Sequence, residues 1–310
     1  MEAKVSPAAP AAGDRAPDVA SVAVRANVAV PVPSEQARRW ASERKFFDGV
    51  GAKLEEALRP FSKPQLARYV ERPGRIYDKE FRFRLLGDLR GKRLLDLGCG
   101  DGSNAVLLAK RGAEVEGIDL SPKLVAVAEK RAELDGVGAR ARFQCAPVER
   151  VDFPEASFDV IWGDGILHHL IDVLDGTLER LVRWAKPGGL FLFSEPVTLS
   201  PLLHRLRRGV PIHTDATPDE RPLGAREMAL VRRHLPGLRT RQFEGLSRLS
   251  RFVIDVSDYE GAPWPRRAAV DLLHAIDYAL LSAGPLRRLG GMSVIWARRP
   301  GGPSPTPFSP

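Results

Sequence analysis

Cysteine is nearly absent. Among 310 residues only Cys99 and Cys145 carry a thiol. Two thiols build no disulfide framework, and neither stands in a metal-ligand spacing. Long apolar runs are missing as well. No uninterrupted stretch reaches the roughly eighteen residues that a membrane-crossing helix needs. The N-terminus has no basic segment leading into an apolar one, so no signal peptide is expected. A cytoplasmic setting fits this thiol usage. Aromatic residues make up only 7% of the chain, and the arginines are not interleaved with them. The net charge of +8 therefore does not by itself imply nucleic acid. It accompanies an Ala-, Pro- and Gly-rich composition of the kind a GC-rich genome produces. With 44% hydrophobic and 28% charged residues, a globular protein is the default.

The patterning divides the chain. Residues 1–33 are mostly Ala, Pro and Val and read as a disordered tail, as does 301–310. Residues 34–78 carry irregular helical stripes (Trp40, Phe46, Phe47, Leu54), with Ser34 as a candidate cap, and read as a helical lid segment. Phe81, Leu85 and Leu89 then share one helical face. From KRLLDLG onward, short apolar strands alternate with helices, which means a parallel sheet with crossover helices. Strands are expected at KRLLDLG, EVEGIDLS, ARFQCAP, SFDVIWGDG, LFLFSEP and MSVIWARR, with TRQFEGL a further candidate. Lys186-Pro187-Gly188-Gly189 reads as a turn. The helix within Val270–Leu281 carries Leu272, Leu273, Ile276, Ala279 and Leu280 and reads as a plain buried stripe.

The chemistry-bearing stretch is LLDLGCGDGSNAVLLA, Leu94 to Ala109. Gly98, Gly100 and Gly102 form a tight turn between a strand and a helix. Such a turn lets the backbone approach a ligand, and the following helix offers unpaired N–H groups. NAD, FAD and S-adenosylmethionine (SAM) are all compatible so far. Three details separate them. The spacing is G-x-G-x-G, not the G-x-G-x-x-G of dinucleotide turns. Asp96 would repel a pyrophosphate but attract an ammonium. Asp119 ends the next strand, where a carboxylate can take two ribose hydroxyls.

D-x-G-x-G-x-G, the second-strand Asp119, SFDVIWGDGILHHL and KPGGLFLFSEP together resemble the class I SAM-dependent methyltransferases, in particular the small-molecule branch related to quinone biosynthesis. The resemblance covers about residues 75–200. It implies a Rossmann-like, seven-stranded α/β sheet, mostly parallel with an antiparallel last strand, and helices on both faces. The methyltransferase domain would span 79–300, with substrate-covering insertions at about 197–290. It implies SAM as cofactor, with Gly98, Cys99 and Gly100 along its methionine part and Asp96 near the ammonium. Asp119 would take the ribose and Leu120 the adenine. Pro147 occupies a position where an acidic residue usually meets the adenine amino group, so Ala146, the Val148 N–H or Glu149 would serve instead. Asp164, Gly165 and Ile166 would face the methyl donor.

His168 and His169 follow the fourth strand, and a histidine near neutral pKa suits deprotonation of a hydroxyl acceptor. His168, the first to leave the strand, is the favoured base. Glu195 could orient it. His204 and His213 are held in reserve, and the histidines show no metal-ligand spacing. Trp40, Phe46, Phe47, Tyr69, Tyr77, Leu202, Leu203, Leu206, Phe252, Tyr259 and Trp264 are candidates to cover an apolar or lipid-like small molecule. The expected reaction is O-methylation of a small-molecule acceptor, then C-methylation, in specialised metabolism. No nucleic-acid partner is expected, because Gly-Asp-Gly-Ile replaces Asn/Asp-Pro-Pro-Tyr and neither cysteine fits an RNA cytosine nucleophile. A non-methylating SAM-binding enzyme such as a cyclase, or a protein or RNA methyltransferase, is the alternative reading.

Overall fold

The computed structural model describes residues 34–200, 221–254 and 259–301. Both expected tails apart from Gly301, and His204, His213, Leu202, Leu203 and Leu206, lie outside the described residues. Seven strands form one sheet: β1 (Arg93–Leu97), β2 (Glu114–Asp119), β3 (Ala141–Cys145), β4 (Phe158–Asp164), β5 (Ala185–Pro196), β6 (Arg239–Phe243) and β7 (Met292–Arg298). Their order is β3-β2-β1-β4-β5-β7-β6. The first five pair in parallel, and β7 inserts antiparallel between β5 and β6. The strand order reverses at β1, so the carboxyl ends of β1, β2 and β4 border the ligand crevice of an open α/β sheet.

The helices are α1 (Ser34–Glu56), α2 (Lys63–Leu66), α3 (Asp78–Leu85), α4 (Ser103–Lys110), α5 (Pro122–Leu134), α6 (Leu174–Trp184), α7 (Ala225–His234) and α8 (Trp264–Leu280). The apolar residues of α3 and α4 pack on one sheet face with Leu94, Trp162 and Leu192. Those of α6 and α7 pack on the other, with Leu95, Ile161 and Phe193. Ser121 starts α5 by accepting a hydrogen bond from the Leu124 N–H, and Pro122 takes the first helical position, where a missing N–H costs nothing.

Three sequence expectations are corrected. Lys186–Gly189 is not a separate turn but part of β5. Pairing jumps from Phe158–Ala185 to Val160–Leu190, so these residues bulge from the ladder. Pro187 has no N–H to donate and Gly188 sits at φ 77°. Leu89 lies beyond α3, because the chain turns at Gly87 (φ 67°), yet it is still buried. The α8 stripe is not buried. Leu272, Ile276 and Leu280 are exposed, and the residues α8 buries are Val270 and Asp277.

Two features of the β1 region store energy. Gly102 sits at φ 75°, and a Cβ there would lie 2.7 Å from the Ala128 Cβ and 2.9 Å from its Cα. The third glycine of the turn therefore lets α4 pack on α5. Asp96, mid-sheet in β1, is fully buried, and neither carboxylate oxygen has a hydrogen-bond partner among the described residues. Burial, with Asp164 adding to it, pushes the Asp96 carboxyl up to about 8, against the pull of Arg82 and Lys79.

Gly102→Ala is expected to cost about 2–3 kcal/mol, from the left-handed backbone and the Ala128 contact together, read as a lower urea midpoint. Asp96 gives a pH signature. Between about pH 4 and 8 the folded protein holds a proton that the unfolded chain has released, so this contribution to stability falls as pH rises and levels off above 8. Asp96→Asn abolishes the fall. Its stability relative to wild type should rise across that window by on the order of 5 kcal/mol in urea titrations of the ligand-free protein.

Candidate active site

The turn after β1 carries Gly98, Gly100 and Gly102, all at positive φ. A Cβ at Gly100 would meet nothing within 4 Å, so its backbone borders open space. That space is a cavity of about 230 Å³ at the carboxyl ends of β1, β2 and β4. Gly98, Gly100, Asp119, Leu120, Asp164 and Gly165 form its floor.

Asp119 clamps the turn to the end of β2. One carboxylate oxygen accepts the Gly100 N–H at 2.9 Å and the other accepts the Ser121 N–H at 2.9 Å. A carboxylate has about four acceptor positions, so acceptor capacity remains for a ligand hydroxyl. Burial pushes the Asp119 carboxyl up, opposed by the N–H groups of Ser121, Gly100 and Leu120.

Asp164 anchors a second network. It takes the Arg82 guanidinium at 2.9 Å and the Asn104 amide at 3.0 Å. Burial alone would raise its carboxyl, but Arg82 and Lys79 hold it below the ordinary range. Arg82 also reaches Asp78 at 3.6 Å and lies over the Trp162 ring, 4.5 Å from its centroid. Asp96 and Cys99 are not in the cavity wall. Asp96 sits behind it within the charge field of Asp164 and Arg82, and the Cys99 thiol packs against Gly117.

Ala146, Pro147 and Val148 line the far end. Val148 opens a single 3-10 turn, Val148–Arg150, whose first N–H groups have no partner within the turn. Glu149 is occupied by α1: one of its oxygens accepts from Gln36 at 3.1 Å, Arg39 at 3.1 Å and the Trp40 indole at 3.2 Å. With the Ser121 hydroxyl donating to Asp48 at 2.5 Å, this fastens α1 over the cavity. Arg39, Trp40, Glu43 and Phe47 thereby become its roof.

The histidines follow β4 in a 3-10 segment, Leu167–Val173. Glu195, fully buried at the end of β5, accepts the backbone N–H groups of Ile166, Leu167 and His168 at 3.0, 2.8 and 3.3 Å. The same carboxylate meets His168 Nδ1 at 2.9 Å. His169 lines the cavity and packs edge-on against Phe47, with ring centroids 5.6 Å apart. The two histidine rings lie 4.3 Å apart.

A second cavity of about 270 Å³ lies between α3, the end of β6 and α8. Tyr69, Tyr77 and Tyr259, three of the candidate covering aromatics, line it with Lys79 and His274. Asp78 belongs to its wall, so Arg82 bridges an acid of this cavity and Asp164 of the first. Phe252 and Trp264 instead point outward, each 73% exposed. Sequence reasoning missed Arg82, Asn104, Arg39 and Lys79. For Arg82 a signal existed: a basic residue flanked by Phe81 and Phe83 on a helix that must pack against the sheet. Among the described residues no group of three or more metal-ligating side chains converges.

A family model described as a methyltransferase domain matches residues 95–193. Over 100 residues the chain is 39% identical to the 27-O-demethylrifamycin SV methyltransferase of Amycolatopsis mediterranei, which is 32% of this chain and 36% of that protein. Over 106 residues it is 38% identical to a ubiquinone biosynthesis O-methyltransferase of Azoarcus, which is 34% of this chain and 45% of that one. The matched stretches thus span less than half the length of these relatives. The solved geranyl diphosphate C-methyltransferase of Streptomyces coelicolor, in complex with Mg2+, geranyl diphosphate and S-adenosylhomocysteine, aligns over 87% of this chain and 100% of its own, with a TM-score of 0.50 at 14% identity. At that identity the likeness concerns the fold alone. Residues 95–193 belong to the SAM-dependent methyltransferase family, class I by the order and direction of the strands around them, and their cofactor is SAM.

Proposed function

We propose that the whole chain transfers a methyl group from SAM to a small-molecule acceptor, with a hydroxyl oxygen as nucleophile and specialised metabolism as the setting. The residues present fit the cofactor. The wall of the first cavity is acid-rich, with Asp119, Asp164, Glu43 and Glu149 against Arg39. Such a wall suits a ligand carrying both a sulfonium and an ammonium and disfavours a pyrophosphate. Asp119 would hold the ribose hydroxyls, Leu120, Pro147 and the Val148 N–H the adenine, and Gly98 and Gly100 the methionine part. SAM supplies, when bound, a methyl group activated by its sulfonium. The protein's part is alignment and proton removal.

The observation that carries the oxygen reading is the His168–Glu195 pair. A carboxylate at 2.9 Å from Nδ1 favours the tautomer with the proton on that nitrogen, in which Nε2 is the acceptor. Three backbone N–H groups fix Glu195 in turn, so the imidazole is held in one orientation. Room for an acceptor is supported by the second cavity, whose Asp78 shares Arg82 with Asp164 of the first.

Calorimetric titration with SAM, S-adenosylhomocysteine and NAD tests the cofactor reading. Micromolar SAM binding without NAD binding is expected, and NAD binding in its place would overturn it. Asp119→Ala should weaken SAM at least about tenfold by removing a charge-assisted hydroxyl contact. His168→Ala should leave SAM affinity within about twofold and lower turnover about a hundredfold or more, measured as label transferred from methyl-tritiated SAM to an acceptor. Unchanged turnover in His168→Ala would remove the base assignment.

A further inference from the structure

The exposed apolar surface of this protein is concentrated. Of the ten large hydrophobic side chains exposed among the described residues, nine lie between Leu246 and Leu289. They sit on three segments that follow one another in the chain: the 3-10 turn Ser247–Phe252 with Leu246 just before it, helix α8, and the 3-10 turn Pro285–Leu289. Asp277 of α8 ties the first two together by accepting from the N–H groups of Gly245 and Leu246 and from the Ser247 hydroxyl, all within 2.9 Å. From 268 to 280 every exposed residue of α8 is Ala, Leu or Ile. Leu272, Ile276 and Leu280 recur at helical spacing on that face. A helix side this apolar, turned outward, is not the usual surface of a globular domain, whose exposed hydrophobics are scattered singly.

Charge distinguishes the possible occupants. Residues 246–290 contain six arginines, at 248, 251, 266, 267, 287 and 288. Among the described residues only Arg248 of these is ion-paired, with Glu244 at 3.4 Å. The described acids of the same stretch are all committed inward. Asp271 accepts the hydroxyls of Tyr77 and Tyr259, Asp277 makes the bonds above, and Glu260 pairs with Arg68. A second copy laid face to face would bring arginine against arginine with no described acid available between them. Arg248 and Arg251 also line the second cavity, and an anionic surface would meet the other four, Arg266, Arg267, Arg287 and Arg288, favourably. Trp264 and Phe252, each 73% exposed, supply the aromatic component that settles at a lipid headgroup boundary.

We propose that the outer face of α8 and its two flanking turns docks this protein onto an anionic lipid bilayer. The apolar side chains enter the headgroup boundary while Arg266, Arg267, Arg287 and Arg288 meet lipid phosphates. No helix of the described residues is long and apolar enough to cross a membrane, so the attachment is to the surface only. The opposite side of α8 carries Val270 and His274, which line the second cavity. Docking would therefore bring the bilayer behind one wall of that cavity.

The test uses the full chain and vesicles of two compositions, phosphatidylcholine alone and with about one-third phosphatidylglycerol. Co-sedimentation should be at least about tenfold stronger with the anionic vesicles and should fall in high salt. The double variant Leu272→Glu/Ile276→Glu should lose about tenfold or more of that binding. Its SAM titration should match wild type, because both positions are exposed and outside either cavity. Arg266→Gln/Arg267→Gln should reduce the preference for anionic over neutral vesicles. Failure to bind anionic vesicles overturns the proposal. So does undiminished binding of the Leu272/Ile276 variant, which would place the contact elsewhere. A wild-type dimer in light scattering that this variant dissociates would reassign the face to self-association.

Discussion

The site depends on one hydrogen-bonded clamp. The Asp119 carboxylate, at the end of β2, holds the Gly100 N–H of the turn that follows β1. Two adjacent parallel strands end at the same level, and their loops would otherwise diverge. The clamp fixes the glycine backbone at the distance a ligand needs while leaving Asp119 further acceptor capacity. It works only because Gly100 takes φ 54° without strain. It also explains why Gly102, two residues on, has no room for a side chain: once the turn is fixed, α4 must lie directly on Ala128 of α5.

Around that clamp the protein concentrates negative charge and balances it with one buried guanidinium. Asp78 and Asp164 converge on Arg82, and Asp96 lies within its field. Arg82 is 1% exposed and lies over Trp162, so its charge acts in a poorly screened interior. The outcome differs at each acid. Asp164, in direct contact, is held ionised. Asp96, without a hydrogen-bond partner, is driven towards its neutral form. A cavity bordered by such a field favours a cationic ligand, and the same guanidinium pairs with an acid of each cavity.

Helix α8 shows how one element serves two surroundings. Its inner side contributes Val270 and His274 to a cavity and uses Asp277 to order the turn before it. Its outer side is apolar and exposed. The same periodicity would describe a helix buried on one side in an ordinary core. Which of the two sides meets protein is set by the partners that reach it, and here the 3-10 turn Ser247–Phe252 and the tyrosines cover the polar-containing side.

Local chemistry was sufficient to read the strand and helix order, because β1 to β4 are short apolar runs and a glycine or proline marks several of the boundaries, as at Gly98 and Pro122. The positions of Asp119, Gly98, Gly100 and the His168–His169 pair at strand ends were legible for the same reason: backbone geometry within a few residues sets them. The Lys186–Gly189 bulge was not, since a Pro-Gly-Gly run looks the same in a free turn and in a strand that has lost its ladder. Nor were the contacts made across the chain. Glu149 with Gln36, Arg39 and Trp40, His168 with Glu195, and Arg82 with Asp164 join residues from 27 to more than 100 positions apart. No periodicity encodes such a pairing. The tertiary structure alone decided which acid would be paired and which left buried, and which face of α8 would be turned outward, because burial is a property of the assembled layers and not of any one segment.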